Sequence, residues 1–216
     1  MNKLILLLND HPLVGKSTLA RCFSLYLSQH DREHHLHFLK QGAAGPQEID
    51  PGHLSPRLLR QWLRERPVVI LDVGSGLGGF FGKFFRLHQA QRLLAEANAS
   101  LSVVLPVTSA EDSFDSVIQA TEWFGDQAEY LVAIRTQEGS ADEQHAWESS
   151  YASRVMNLFD AQEIKVPQAL DPADFRRWQE RMFSRLERVE NRLFGQRPEL
   201  KPRLNASRPK TQGRVA

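Results

Sequence analysis

The chain has 216 residues, 41% of them hydrophobic and 25% charged, with a formal net charge of +1. That length and apolar content suit one domain of α/β size with a substantial buried core. A single cysteine, Cys22, excludes an internal disulfide framework and a cysteine-based zinc site, and it suits a reducing, cytoplasmic setting.

The leucine-rich start is too short for a membrane span and runs into a polar loop, not a small-residue cleavage site; no later stretch is apolar over a spanning length. Charge is uneven along the chain. Residues 171–216 hold twelve Lys/Arg and six Asp/Glu, whereas residues 1–170 hold fifteen and twenty. A basic end on an acidic body fits contact with nucleic acid or an acidic partner, and equally a solubilising tail.

Residues 3–9 contain five consecutive aliphatics, Leu4 to Leu8, which predicts a strand covered on both faces. A loop then delivers Gly15-Lys16-Ser17-Thr18 into a helical pattern over 17–29, with Leu19, Phe23, Tyr26 and Leu27 on one face. Strand, loop and helix in this order are the setting of a phosphate-binding P-loop. Backbone N–H groups at the helix start hold phosphate oxygens, Lys16 neutralises their charge, and the Ser17 hydroxyl ligates Mg²⁺. The full pattern has glycine where this chain has Asp10. Ser and Thr also cap ordinary helices; the preceding strand favours the phosphate reading.

His34, His35 and His37 surround a predicted strand over 36–40. They lack a carboxylate or cysteine at ligand spacing, so they read as polar strand-edge residues and not as a metal site. Residues 41–54 form a long Gly/Pro-containing loop, functional or locally disordered. Ser55-Pro56 opens the next helix, with Leu58, Leu59, Trp62 and Leu63 as its apolar face. Residues 67–72, Pro-Val-Val-Ile-Leu-Asp, are the clearest strand. Asp72 ends it at the glycine-rich segment 74–79, the place where a P-loop protein holds a Mg²⁺-bound water; an Asx turn is the plainer alternative. Phe80, Phe81, Phe84 and Phe85 mark the buried face of one helix running to about residue 97.

Further strands are predicted over 101–108, 130–135 and 163–166, with helices over 110–124 and 143–159. The alternation predicts an α/β fold, a mainly parallel sheet with helices on both faces. Asp171-Pro172 then opens a long amphipathic helix over 171–195, with Phe175, Trp178, Met182, Leu186, Val189 and Leu193 in its stripe. Residues 196–216, rich in proline and basic side chains, read as a disordered tail. The expected division is a nucleotide-binding domain over 1–170, the helix over 171–195, and the tail.

Three segments together resemble the ParA/MinD type of P-loop ATPase: Asp10-His11-Pro12-Leu13-Val14-Gly15-Lys16-Ser17-Thr18, then Asp72-Val73-Gly74-Ser75-Gly76-Leu77-Gly78, then Val103-Val104-Leu105-Pro106-Val107-Thr108. The similarity spans residues 1–168 and more loosely is to the divergent branch associated with plasmid stability (StbB-like) and conjugative transfer. It implies ATP and Mg²⁺ as cofactors, residues 10–18 on the nucleotide, Lys16 and Asp72 in catalysis, and Ser17 with Asp72 on the metal. It places Arg135 and Pro167 on the base side.

The sequence departs from that family at several points. His11 stands where the family has a lysine that reaches a partner's phosphates, Pro12-Leu13 replace Gly-Gly, and Lys40-Gln41 follow the second strand where Asp-x-Asp is common. The resemblance therefore implies an ATP-binding switch, with a homodimer or protein partner engaged through the 171–195 helix and DNA contacted by the tail. A non-hydrolysing interaction scaffold and a small-molecule kinase are the alternatives.

Overall fold

The structure is a computed structural model; it describes residues 1–108, 112–136 and 164–167, and further on residues 180, 183, 184, 186, 187, 193 and 194. Among the described residues seven strands make one sheet in which every pairing is parallel: β1 (Asn2–Leu7), β2 (His34–Leu39), β3 (Glu48–Ile49), β4 (Val68–Val73), β5 (Ala99–Val107), β6 (Ala128–Thr136) and β7 (Ile164–Pro167), in the order β3-β2-β4-β1-β5-β6-β7. The helices between them are α1 (Lys16–Gln29), α2 (Pro56–Glu65), α3 (Gly78–Leu87), α4 (Ala90–Glu96) and α5 (Asp112–Phe124). The predicted α/β class holds.

Alternation along the central strands feeds two separate cores. Leu4, Leu6 and Leu8 of β1 and its extension join Val69, Leu71 and Val73 of β4 beneath α2, α3, α4 and α5. Ile5 and Leu7 join Val68 and Ile70 beneath α1, against Leu19, Phe23, Tyr26 and Leu27. Both faces of β1 and β4 are therefore dry, which explains their unbroken aliphatic runs. Each fully buried Leu or Phe contributes about 1.5–3 kcal/mol relative to exposure.

The α1 face also receives the far end of the chain. Leu186, Leu193 and Phe194 are buried there; the Phe194 ring lies 5.5 Å from Tyr26 and 5.7 Å from Phe23. Arg32 donates to the Phe194 carbonyl at 2.6 Å. The described part of the expected 171–195 stripe thus packs within its own chain. Residues 143–159 and 196–216, where a helix and a disordered tail are expected, lie outside the described residues.

One sequence expectation changes. The single helix expected to run to residue 97 is broken: His88 closes α3, and Gln89, at φ +48°, turns the chain into α4. Continued helically, the stripe of Phe81, Phe84 and Phe85 would not include Ala90, Leu93 and Leu94. The left-handed residue resets the phase so that both sets enter the same core.

Among the described residues His34, His35 and His37 lie on the stretch of β2 that β3 leaves unpaired, a strand edge as expected. His37 lies beneath α2, its ring 4.0 Å from Trp62 and 5.4 Å from His35, with both ring nitrogens buried and unpartnered. Among the described residues no group of three or more His, Cys, Asp or Glu is placed to hold a metal.

Candidate nucleotide site

The site forms where the C-terminal ends of β1 and β4 meet the start of α1, the crevice in which open parallel sheets bind ligands. Residues 8–15 turn tightly between strand and helix, with Leu13 at φ +59° and Gly15 at φ +95°. The side chain of Leu13 is 85% exposed. No side chain caps α1 and no acid lies in its first turn, so the N–H groups of that turn are left to an anion.

Lys16 is buried and folded back over the loop. Its Nζ donates to the Asn9 carbonyl at 2.6 Å and to Ser75 Oγ at 3.1 Å. Burial lowers its pKa, while Asp72 and Asp10 act to raise it. These neutral acceptors are ones a phosphate oxygen could replace. Asn9 braces the loop from behind: its Nδ2 donates to the Pro106 carbonyl at 2.7 Å, and its Oδ1 accepts from the His11 N–H at 2.8 Å. Pro106 thus anchors the P-loop to β5.

Asp72 falls on the α1 side of β4 by the same alternation that buries Val68 and Ile70. Its Oδ2 accepts from Ser17 Oγ at 2.5 Å, while Oδ1 is buried with no hydrogen-bond partner. Burial raises the carboxyl pKa, opposed by Ser17, Lys16 and Arg21. An orphaned buried oxygen beside a serine hydroxyl is what a hard divalent cation would satisfy. Ser17 and Asp72 therefore fit the Mg²⁺ implied by the sequence, and Lys16 with the α1 amides fits the phosphates.

The remaining expected residues divide. The Asp10 carboxylate is turned away from the helix start and accepts from the Gly78 N–H at 2.7 Å, while the Asp10 N–H donates to Ser116 Oγ at 3.0 Å. A Cβ on Gly78 would stand 2.8 Å from that carboxylate. His11 bends onto its own loop, Nδ1 lying 2.9 Å from the Pro12 carbonyl. Val14 is buried, whereas Pro12, Ser17 and Thr18 lie at the surface. Arg135 and Pro167 fall on neighbouring strand ends, where Arg135 pairs with Val166 and Thr136 with Pro167. β7 lies three strands from β1, about 14 Å at the usual spacing.

Sequence reasoning missed the tie between P-loop and glycine segment. Lys16 meets Ser75, Asp10 meets Gly78, and the Gly74 N–H donates to the Leu39 carbonyl at 2.8 Å. A Cβ at Gly74 would lie 2.8 Å from that same carbonyl. The glycines here permit close approach of backbone to backbone and backbone to carboxylate.

The chain is similar to the solved structure of the MinD cell division protein of Aquifex aeolicus, with 13% identity, a TM-score of 0.53, and coverage of 93% of this chain and 100% of that one. At that identity the likeness shows the fold alone, a MinD-like one. No protein-family model and no curated protein matches the chain.

Proposed function

We propose that the chain is an ATP-binding switch of the ParA/MinD kind serving plasmid partition or conjugative DNA transfer, with slow turnover. The observation that carries nucleotide binding is the Ser17–Asp72 pair beside Lys16: a buried carboxylate oxygen lacking a partner, at the mouth of an uncapped helix. Bound Mg²⁺ would supply Lewis acidity toward the terminal phosphates. Lys16 would exchange Asn9 and Ser75 for phosphate oxygens, freeing the 74–79 segment to respond. The assignment to plasmid processes rests on the sequence resemblance.

Slow turnover follows from Lys40. It follows β2 where carboxylates are common in the resembled family, and its ammonium is paired with Glu48 at 2.5 Å. Glu48 also accepts from the N–H groups of Ala44 and Gly45 at 3.0 and 2.9 Å, and these bonds, Lys40 foremost, hold its pKa at about 2. Neither side chain is free to orient an attacking water. Pairing of two copies belongs to the same reading. Since Leu186, Leu193 and Phe194 already bury against α1, we assign the pairing surface to the P-loop face, where Leu13 stands out.

Phosphate release and thermal unfolding test the proposal together. Excess ATP with Mg²⁺ should raise the unfolding temperature, since a ligand at about 100 times its Kd stabilises by about 2.7 kcal/mol. Phosphate release should stay near background without partner or DNA. No thermal shift would remove the switch, and rapid release would remove the slow-turnover claim.

A cleft of about 340 Å³ favours a second reading as a small-molecule kinase. It opens beside Ser17 and Asp72 and is lined further by Arg21, Phe38, Lys40 and Glu48, with the Arg21 guanidinium 5.7 Å from the Phe38 ring centre. Transfer of label from γ-labelled ATP to a metabolite extract would decide for that reading.

A further inference from the structure

Three helices on the face opposite α1 carry an unbalanced charge. Across α2, α3, α4 and their connections, Arg57, Arg64, Arg66, Lys83, Arg86 and Arg92 are exposed and Arg60 is half-buried. The exposed carboxylates between residues 56 and 98 are Glu65 and Glu96; Asp72, the remaining one, is buried in the nucleotide site. This cationic face stands on a body that is acidic over residues 1–170.

The cations form one surface. Arg60 of α2 and Arg92 of α4 both bind Glu96, each at 3.1 Å, and α4 follows α3 after a two-residue turn. Arg66 reaches away to Glu33 at 3.2 Å. Arg57, Arg64, Lys83 and Arg86 have no ion-pair partner among the described residues. Farther along the same helical layer the sign reverses: Asp115, Glu122 and Asp126 are exposed, and residues 108–129 contain no Lys or Arg. An ordinary solvated face intersperses both signs, whereas segregated charge raises a potential that gathers a polyanion.

We infer that the face made by α2, α3 and α4 docks the phosphate backbone of duplex DNA. Single strands are held by exposed aromatic platforms, and the aromatics of these helices are mostly interior: Trp62, Phe81, Phe84 and Phe85 are buried, and Phe80 is 37% exposed. Stable attachment to an anionic lipid surface takes an apolar face beside the cations, and on these helices the exposed large hydrophobics are Phe80 and Leu87, near opposite ends of α3. What remains is a set of unpaired cations suited to backbone phosphates, where displaced counterions supply the affinity. The surface lies across the sheet from α1, so it operates whether or not Lys16 holds a nucleotide, and it does not depend on the basic tail.

The test is a fluorescence anisotropy titration of a short labelled duplex with the full chain at about 50 and 200 mM salt. Variants R57E/R64E and K83E/R86E change exposed side chains, and thermal melts check that each still folds. Each pair should weaken binding about tenfold or more and flatten the salt slope by about one per lost phosphate contact. Both effects should persist after deletion of residues 197–216 and in Lys16→Ala. Wild-type affinity in both charge-reversed variants would overturn the assignment. So would absence of duplex binding at the lower salt, including the case where phosphatidylserine vesicles bind the chain and duplex does not.

Discussion

Leu13 shows what the rewritten loop costs. A leucine at φ +59° occupies a region that β-carbon crowding penalises by about 1–2 kcal/mol, and its exposed side chain regains little by packing. Leu13→Gly should raise the unfolding free energy by about 0.5 kcal/mol, the relief being partly offset by glycine's larger unfolded-state entropy. Leu13→Val, β-branched at positive φ, should lower it by about 1 kcal/mol. Urea titration of the three proteins gives the order, and a Gly variant less stable than Val would contradict the strain.

His37 is the second residue with a measurable consequence. Burial, then the neighbouring His35, lowers its pKa to about 4, with Glu65 acting the other way. The folded chain thus binds the proton more weakly than the unfolded one, whose imidazole has the ordinary value near 6.5. Its contribution to stability is present above about pH 6.5 and is lost as pH falls toward about 4. Thermal melts between those values should fall more steeply for wild type than for His37→Leu. Equal slopes would show that the stacked imidazole does not titrate this way.

At the scale of elements, α3 illustrates which contacts a sequence carries. Its apolar spacing announced a buried face of Phe80, Phe81, Phe84 and Phe85; the last three are buried as expected, whereas Phe80 is exposed. The break at Gln89 is readable only as a change of phase in the stripe, with no glycine or proline to mark it. Gly82 gave no local sign at all: a Cβ there would meet the Trp123 ring at 2.5 Å, because α3 and α5 cross at that point. Gly82→Ala should therefore destabilise by about 1–3 kcal/mol despite its better helix propensity, measured by chemical denaturation. A stabilised variant would mean that Trp123 yields freely.

The whole molecule divides along the same line. Lys16, Ser17 and Asp72 were legible because local patterns place them: a helix start after one dry strand, and an acid at the end of another. The bonds joining Asp10 to Gly78 and Lys16 to Ser75 cross 68 and 59 residues, and no local pattern encodes them. The charge segregation over α2–α4 is hidden by a sum over residues 1–170, where its cations vanish into an acidic body. A local count over residues 56–98, seven Lys/Arg against three carboxylates, does show it, and the layer order puts those cations on one surface.

The same layer order puts the candidate nucleotide site on the α1 side of β4, and nucleotide binding there is the claim on which the functional reading stands. Calorimetric titration of the full chain with ATP in the presence of Mg²⁺ tests it most directly. The account predicts saturable heat at one site per chain, abolished in Lys16→Ala and lost from wild type when Mg²⁺ is chelated. No heat with wild type, or heat unchanged in Lys16→Ala, would contradict it.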